Sequence, residues 1–133
     1  MTAREGIRRF TPHAVRILMG LLFAYAGGSW FVTYFQDGGG GGDVPEGFVG
    51  GLIASGYMFP LIKGTELLGA AALLTNRFVP LALVVLAPVI INISLFHFIL
   101  TPGHDVLLST LLPVALAYLA WVHREAFRPL LRP

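Results

Sequence analysis

Apolar residues fill four long stretches of this chain, at about 12–35, 59–75, 78–100 and 105–122, and most of what separates them is short enough to be only a turn. A stretch of about 17 residues or more is long enough to cross the hydrocarbon core of a bilayer as a helix, so the pattern predicts four transmembrane spans. Pro12 and Pro60 suit the first turns of the first and second spans. Pro88, in the middle of the third, removes the hydrogen bond to the carbonyl of Val84, and a kink or a compensating donor is expected there. Pro113 lies near the middle of the fourth. The connections between spans two, three and four leave antiparallel neighbours as the available geometry. The longer connection, 36–58, holds glycines at 38–42 flanked by Asp37 and Asp43, a flexible loop lacking the Lys and Ser or Thr that a phosphate loop requires. After it, Phe48, Val49, Leu52, Ile53 and Tyr57 recur at helical spacing, which predicts a short amphipathic helix on the membrane surface or a re-entrant segment. The predicted class is all-α integral membrane, one domain over 1–133: a four-transmembrane-helix bundle with a short interfacial helix after the first outer loop.

Charge orients this bundle. All eight arginines flank one side of the spans: Arg4, Arg8, Arg9 and Arg16 before the first, Arg77 between the second and third, and Arg124, Arg128 and Arg132 after the fourth. Asp37, Asp43, Glu46 and Asp105 lie on the other side with no Lys or Arg among them. The positive-inside rule then places both termini in the cytoplasm. A chain that is 56% hydrophobic and 12% charged, with mean hydropathy +0.76, has too little polar surface to be wetted, so lipid is its main solvent. The net charge of +2 is accounted for by orientation and anionic headgroups rather than by nucleic acid. The absence of cysteine excludes a disulfide, a thiol redox pair and thiolate-held clusters. The first apolar stretch, running on to Trp30 and Tyr34 without a small-residue cleavage pattern, reads as a retained helix rather than a signal peptide.

Against that apolar background a few residues stand out. Gly20, Ala24 and Gly28 are four apart in the first span, with Gly27 beside the last, and make a groove for close approach of another helix backbone. Lys63 and Glu66 are three apart in the second span and share a face, where they can pair. Counted from the turn at Asn76 and Arg77, Asn92 of the third span falls roughly 3 Å along the axis from the level of Lys63. Lys63, Glu66 and Asn92 are therefore expected to form a buried polar cluster, joined through Ser94 or Thr65, which either binds two helices together or carries function. His97 lies near the outer end of the third span between Phe96 and Phe98, available to a ligand or satisfied by a backbone carbonyl or water. His13, His104 and His123 have no zinc spacing, so no metal site is expected. His104 and Asp105 adjoin, but no serine lies in a strained Gly-flanked elbow, and Ser/His/Asp catalysis is set aside.

The stretches Ala54-Ser-Gly-Tyr-Met-Phe-Pro-Leu-Ile-Lys-Gly-Thr-Glu-Leu-Leu-Gly69, Asn76-Arg-Phe-Val-Pro-Leu-Ala-Leu83 and Ala87-Pro-Val-Ile-Ile-Asn-Ile-Ser-Leu-Phe-His-Phe98 resemble the DoxX family of small bacterial membrane proteins. The segments Gly20–Gly28 and Arg124–Leu130 are similar too, so the likeness runs over nearly the whole chain, except for the five-glycine run. The resemblance implies a four-helix bundle in the bacterial inner membrane and an association with membrane redox chemistry, with Glu66, Asn92 and His97 the positions that matter.

These readings lead to one expectation and two alternatives. The expectation is a small, non-catalytic accessory subunit of a respiratory or photosynthetic membrane complex, or a binder of a lipophilic ligand such as a quinone or lipid, with no intrinsic cofactor. Its partners would be the bilayer and other membrane subunits or further copies of itself. The first alternative is a component of a thiosulfate:quinone oxidoreductase, with Glu66 and His97 handling protons. The second is a small-solute or lipid transporter using Lys63 and Glu66, which four helices without an inverted repeat could form only as an oligomer.

Overall fold

The computed structural model describes residues 2–38 and 46–133, and among these every regular element is helical. The glycines from Gly39 to Gly42 and Asp43 lie outside the described residues. Helix α1 runs Ala3–Gln36, α2 Phe48–Ala54, α3 Met58–Thr75, α4 Val79–Leu95 and α5 Val106–Val122. A π-helical turn, Phe96–Leu100, continues α4, and a short helix α6, Arg124–Phe127, leads into a 3₁₀ turn, Arg128–Leu131. Helix α1 packs on α3, α3 on α4 and α4 on α5, while α5 returns to α1, so four long helices close a ring. Phe23, Leu73, Leu83, Leu86, Ile90 and Leu119 are completely enclosed at its centre.

Helix α1 begins well before the expected start at Pro12. Thr2 and Glu5 form a capping box: the Thr2 hydroxyl accepts from the Glu5 N–H, and the Glu5 carboxylate accepts from the Thr2 N–H at 2.9 Å. That box satisfies the orphan donors of the first turn and starts the helix at Ala3. Pro12 is consequently inside the helix and leaves the Arg8 carbonyl unpaired, at an exposed stretch where water can reach it. The 34 residues extend about 51 Å, well beyond a hydrocarbon core of about 30 Å.

The other helix ends follow from local chemistry. Asn76 adopts φ +55° after the last turn of α3, and the Arg77 N–H reaches back to the Ala72 carbonyl at 3.0 Å, closing that end as a Schellman-type cap. Arg16 reinforces the same end. It is 8% exposed rather than solvated with the other arginines, and its guanidinium donates to the Leu73 carbonyl, placing a cation against the negative end of α3.

Pro113 does the damage expected of a mid-helix proline, since it cannot donate to the Ser109 carbonyl. That carbonyl instead accepts the hydroxyl of Ser94 at 2.8 Å, so the compensating donor comes from α4 and ties it to α5. Ser94 is thus committed here and does not join the lysine and glutamate of α3. Thr65 does not join them either, because its hydroxyl donates to Leu61 in its own helix.

Small residues let α1 and α3 approach closely, but not along the expected line of Gly20, Ala24 and Gly28. A methyl group on Gly20 would lie 2.9 Å from Leu74, and one on Gly27 would lie 2.8 Å from Leu67 and 3.0 Å from the Lys63 carbonyl oxygen. On Gly28 it would come no nearer than 3.9 Å, and Ala24 is only partly buried. The seam is Gly20 and Gly27, the same face that buries Arg16, Met19 and Phe23. Gly69 makes the matching close approach of α3 to Leu86 of α4.

Helices Ala3–Gln36, Met58–Thr75 and Val79–Leu100 are each long and apolar enough to cross a membrane. Val106–Val122 reaches that mark only together with Arg124–Leu131, which bends away by 77°. The expected fourth span is therefore the shortest of the set, about 25 Å of α-helix. Outside the ring the surface is apolar, with Leu68, Leu107 and Tyr25 among its most exposed side chains. That exterior is compatible with a multi-pass membrane protein.

Replacing Gly27 by Leu should lower the stability of the detergent-solubilised bundle by about 1–3 kcal/mol through overpacking. Gly28→Leu should be close to neutral. Thermal melts of both variants check this, and equal effects would mean that the seam is misassigned.

Candidate functional site

Between α1, α3, α4 and α5, on the side where α2 lies, the bundle forms a half-open cavity of about 640 Å³. Its walls are almost wholly apolar, built from Phe23 and Leu112 at the core, Phe59 at the start of α3 and Val89 on α4. Helix α2 forms part of the enclosure through Phe48, Val49 and Leu52, and the Phe48 ring packs 5.9 Å from that of Phe96. The predicted surface-lying helix is thus a wall of this cavity. Besides the largely exposed Tyr25, four polar side chains line the space: Lys63, Glu66, Asn92 and His97. They are the four that stand out in the sequence, and the folding of α3 against α4 brings them to one chamber.

Lys63 and Glu66 pair across one turn of α3, Nζ to Oε2 at 3.0 Å, with Glu66 2% and Lys63 17% exposed. The pair lies beside the Gly27 contact, where α1 approaches the Lys63 carbonyl. The ammonium also sits 5.4 Å from the centre of the Phe59 ring, whose face favours a cation. Trp30 stacks on Tyr34 at 4.9 Å and meets Phe59 edge-on at 5.4 Å, so the aromatic band of α1 buttresses that ring.

Asn92 lines the same cavity without being hydrogen-bonded to the ion pair. Its side chain is exposed, and together with Pro88 it also borders a shallow groove on the outer surface of α4. The amide therefore stands in the partition between the chamber and the exterior of the bundle. The expected three-residue cluster is in fact an ion pair with a separate amide in the wall.

His97 occupies the π-helical turn, edge-on to Phe96 at 5.2 Å. Its Nδ1 lies 2.8 Å from the Ile93 carbonyl, and its Nε2 lies 3.7 Å from Oδ2 of Asp105, which is 71% exposed. Asp105, in the sequence an outer-side charge and the neighbour of His104, thus stands opposite His97 instead, a contact that depends on the intervening turn folding back. Among the described residues no three His, Asp or Glu side chains converge to hold a metal ion.

Chemically, the arrangement offers an apolar chamber with one ammonium donor, one amide, one imidazole and a carboxylate already engaged. This is a set that can orient the polar head of an apolar molecule. No protein-family model, curated protein or solved structure matches the chain.

Removing only the lysine, by Lys63→Met, should destabilise the bundle by about 3–5 kcal/mol, because it strands the Glu66 carboxylate in an apolar wall. The double replacement Lys63→Met with Glu66→Leu should recover most of that loss. Melting the two variants beside the parent checks the pair, and a double variant no better than the single would contradict it.

Proposed function

We propose that this chain is a multi-pass protein of a bacterial inner membrane with both termini in the cytoplasm. In this reading it is a non-catalytic subunit that holds a lipophilic molecule with a polar head, of the quinone class, within the four-helix bundle. The single observation that carries the ligand reading is the convergence of Lys63, Glu66, Asn92 and His97 on one otherwise apolar cavity of about 640 Å³. A space of that size and character suits a ring and part of a tail, with a few polar groups to fix its orientation.

The membrane reading is supported by the apolar exterior and by the arginines gathered at one end of the bundle. The resemblance of the helix α3 and α4 sequences to the DoxX family points the same way, and membership of that family is part of this proposal. An accessory role suits a chain whose polar groups already serve the fold: Glu66 is held by Lys63, and His97 by the Ile93 carbonyl. The larger partner would be an energy-transducing membrane complex, docked through the exposed apolar faces.

Solvent extraction of the protein purified in mild detergent, followed by mass spectrometry, should recover one lipophilic species in near-stoichiometric amount. Ala26→Phe, which fills the cavity from α1 without touching the ion pair, should lose it while remaining folded. Equal recovery from both proteins, or none from the parent, would overturn the ligand reading. Co-migration with a multi-subunit assembly on native gels tests the accessory role, and migration as the isolated chain in gently solubilised membranes would overturn it.

A further inference from the structure

Lys63 and Glu66 are the only Lys, Arg, Asp or Glu among the described residues that line the cavity, and they stand 3.0 Å apart, Nζ to Oε2. Whether the proton they share rests on nitrogen or on oxygen, the two together carry no net charge. An ammonium has three hydrogens to donate, and Glu66 Oε2 engages one of them. The Phe59 ring, its centre 5.4 Å away, attracts the cation without taking up a hydrogen as an oxygen would. The lysine thus keeps donors for the chamber but has no unmatched charge to offer it.

We infer that Glu66 sets the charge class of the cavity's ligand: a neutral lipophile whose carbonyl oxygen accepts from the Lys63 ammonium is admitted, and an acidic lipophile such as a free fatty acid is refused. The inference rests on the reading of the cavity as a ligand site and goes further by naming the residue that selects and the class it rejects. A neutral carbonyl requires only a donor, and a hydrogen bond to a charged donor is among the stronger kinds. A carboxylate at the same place would reach an ammonium that already has the Glu66 carboxylate 3.0 Å from its nitrogen. Two like charges would then share one cation, and the surplus negative charge would lie in an apolar chamber with nothing to offset it. Glu66 is 2% exposed, so little water reaches it to screen that repulsion. Acidic and neutral lipophiles can carry the same tail, and apolar walls alone would not tell them apart. Without the Glu66 charge the preference should reverse, because an entering carboxylate would take the vacated place beside Lys63.

Three probes with the same ring and tail separate the possibilities: 2-decyl-1,4-benzoquinone, a neutral carbonyl; 4-decylbenzoate, a carboxylate at about pH 8; and decylbenzene, which has no acceptor. Binding of each to the full chain in nanodiscs of zwitterionic lipid is measured against protein-free discs, to remove simple partitioning. The quinone should bind about tenfold more tightly than decylbenzene, the value of one hydrogen bond to a charged donor, and the benzoate no more tightly than decylbenzene. Glu66→Gln keeps the size of the side chain and removes its charge, and it should raise the affinity for the benzoate about tenfold or more while the quinone still binds. The double replacement Lys63→Met with Glu66→Leu should bring the quinone and decylbenzene to equal affinity, so the assignment stays testable if the glutamine variant does not fold. A parent that binds the benzoate as tightly as the quinone would overturn the inference while leaving the cavity as a ligand site. A glutamine variant that folds and gains nothing for the benzoate, or a double variant that keeps its preference for the quinone, would overturn it as well. Failure of the parent to bind any of the three would sink the ligand reading and this inference together.

Discussion

Glu66 sits at 2% exposure in a bundle whose interior is mostly hydrocarbon, and much of the architecture follows from keeping its charge matched. A carboxylate in such a place is tolerable when a cation lies within about 4 Å, and the only lysine of the chain is one turn earlier on the same helix. The pairing is therefore built into α3 before any tertiary contact forms. The helix then has a charged face that cannot point outward into an apolar surround. Its opposite requirement, close packing on α1, is met by Gly20 and Gly27, which admit α3 so nearly that the Lys63 carbonyl lies against the α1 backbone. With the pair turned inward beside that seam, α4 and α5 complete a wall around space that the charged side chains do not fill.

The same demand for internal satisfaction explains features that would otherwise look like defects. Pro113 frees a carbonyl, and the Ser94 hydroxyl takes it. The C-terminal carbonyls of α3 need donors, and Arg16 gives up its hydration to supply one. Each repair also links two helices: α4 to α5 in the first case, α1 to α3 in the second. Where backbone polar groups cannot turn to water, a proline or a helix end becomes an attachment point.

Much of this was legible in the sequence, and the limits were geometric. The apolar stretches placed α3 and α4 to within a residue at most boundaries, because Asn76 and the prolines mark their ends. Lys63 and Glu66 could be paired from spacing alone, since three residues on one helix fix their relation. The relation of Asn92 or Ser94 to that pair depends on the rotation of α4 about its axis, where one residue changes direction by about 100°, and axial level does not supply it. The choice between Gly27 and Gly28 failed for the same reason: adjacent glycines face different neighbours. The early start of α1 was available in Thr2 and Glu5, whose spacing is that of a capping box, but Pro12 is the more conspicuous signal and drew the boundary inward. The His97 and Asp105 contact spans a turn and a π-helical segment, and no periodicity encodes that.

The buried ion pair has its proposed role only if α3 crosses a bilayer. Because the chain contains no cysteine, single replacements at the two ends of that helix can be read without background. The most direct measurement is labelling of Ser55→Cys and Thr75→Cys in intact cells with a membrane-impermeant maleimide, before and after lysis. The Ser55→Cys chain should be labelled in intact cells and the Thr75→Cys chain only once the cells are opened. Labelling of both positions from the same side would contradict that crossing.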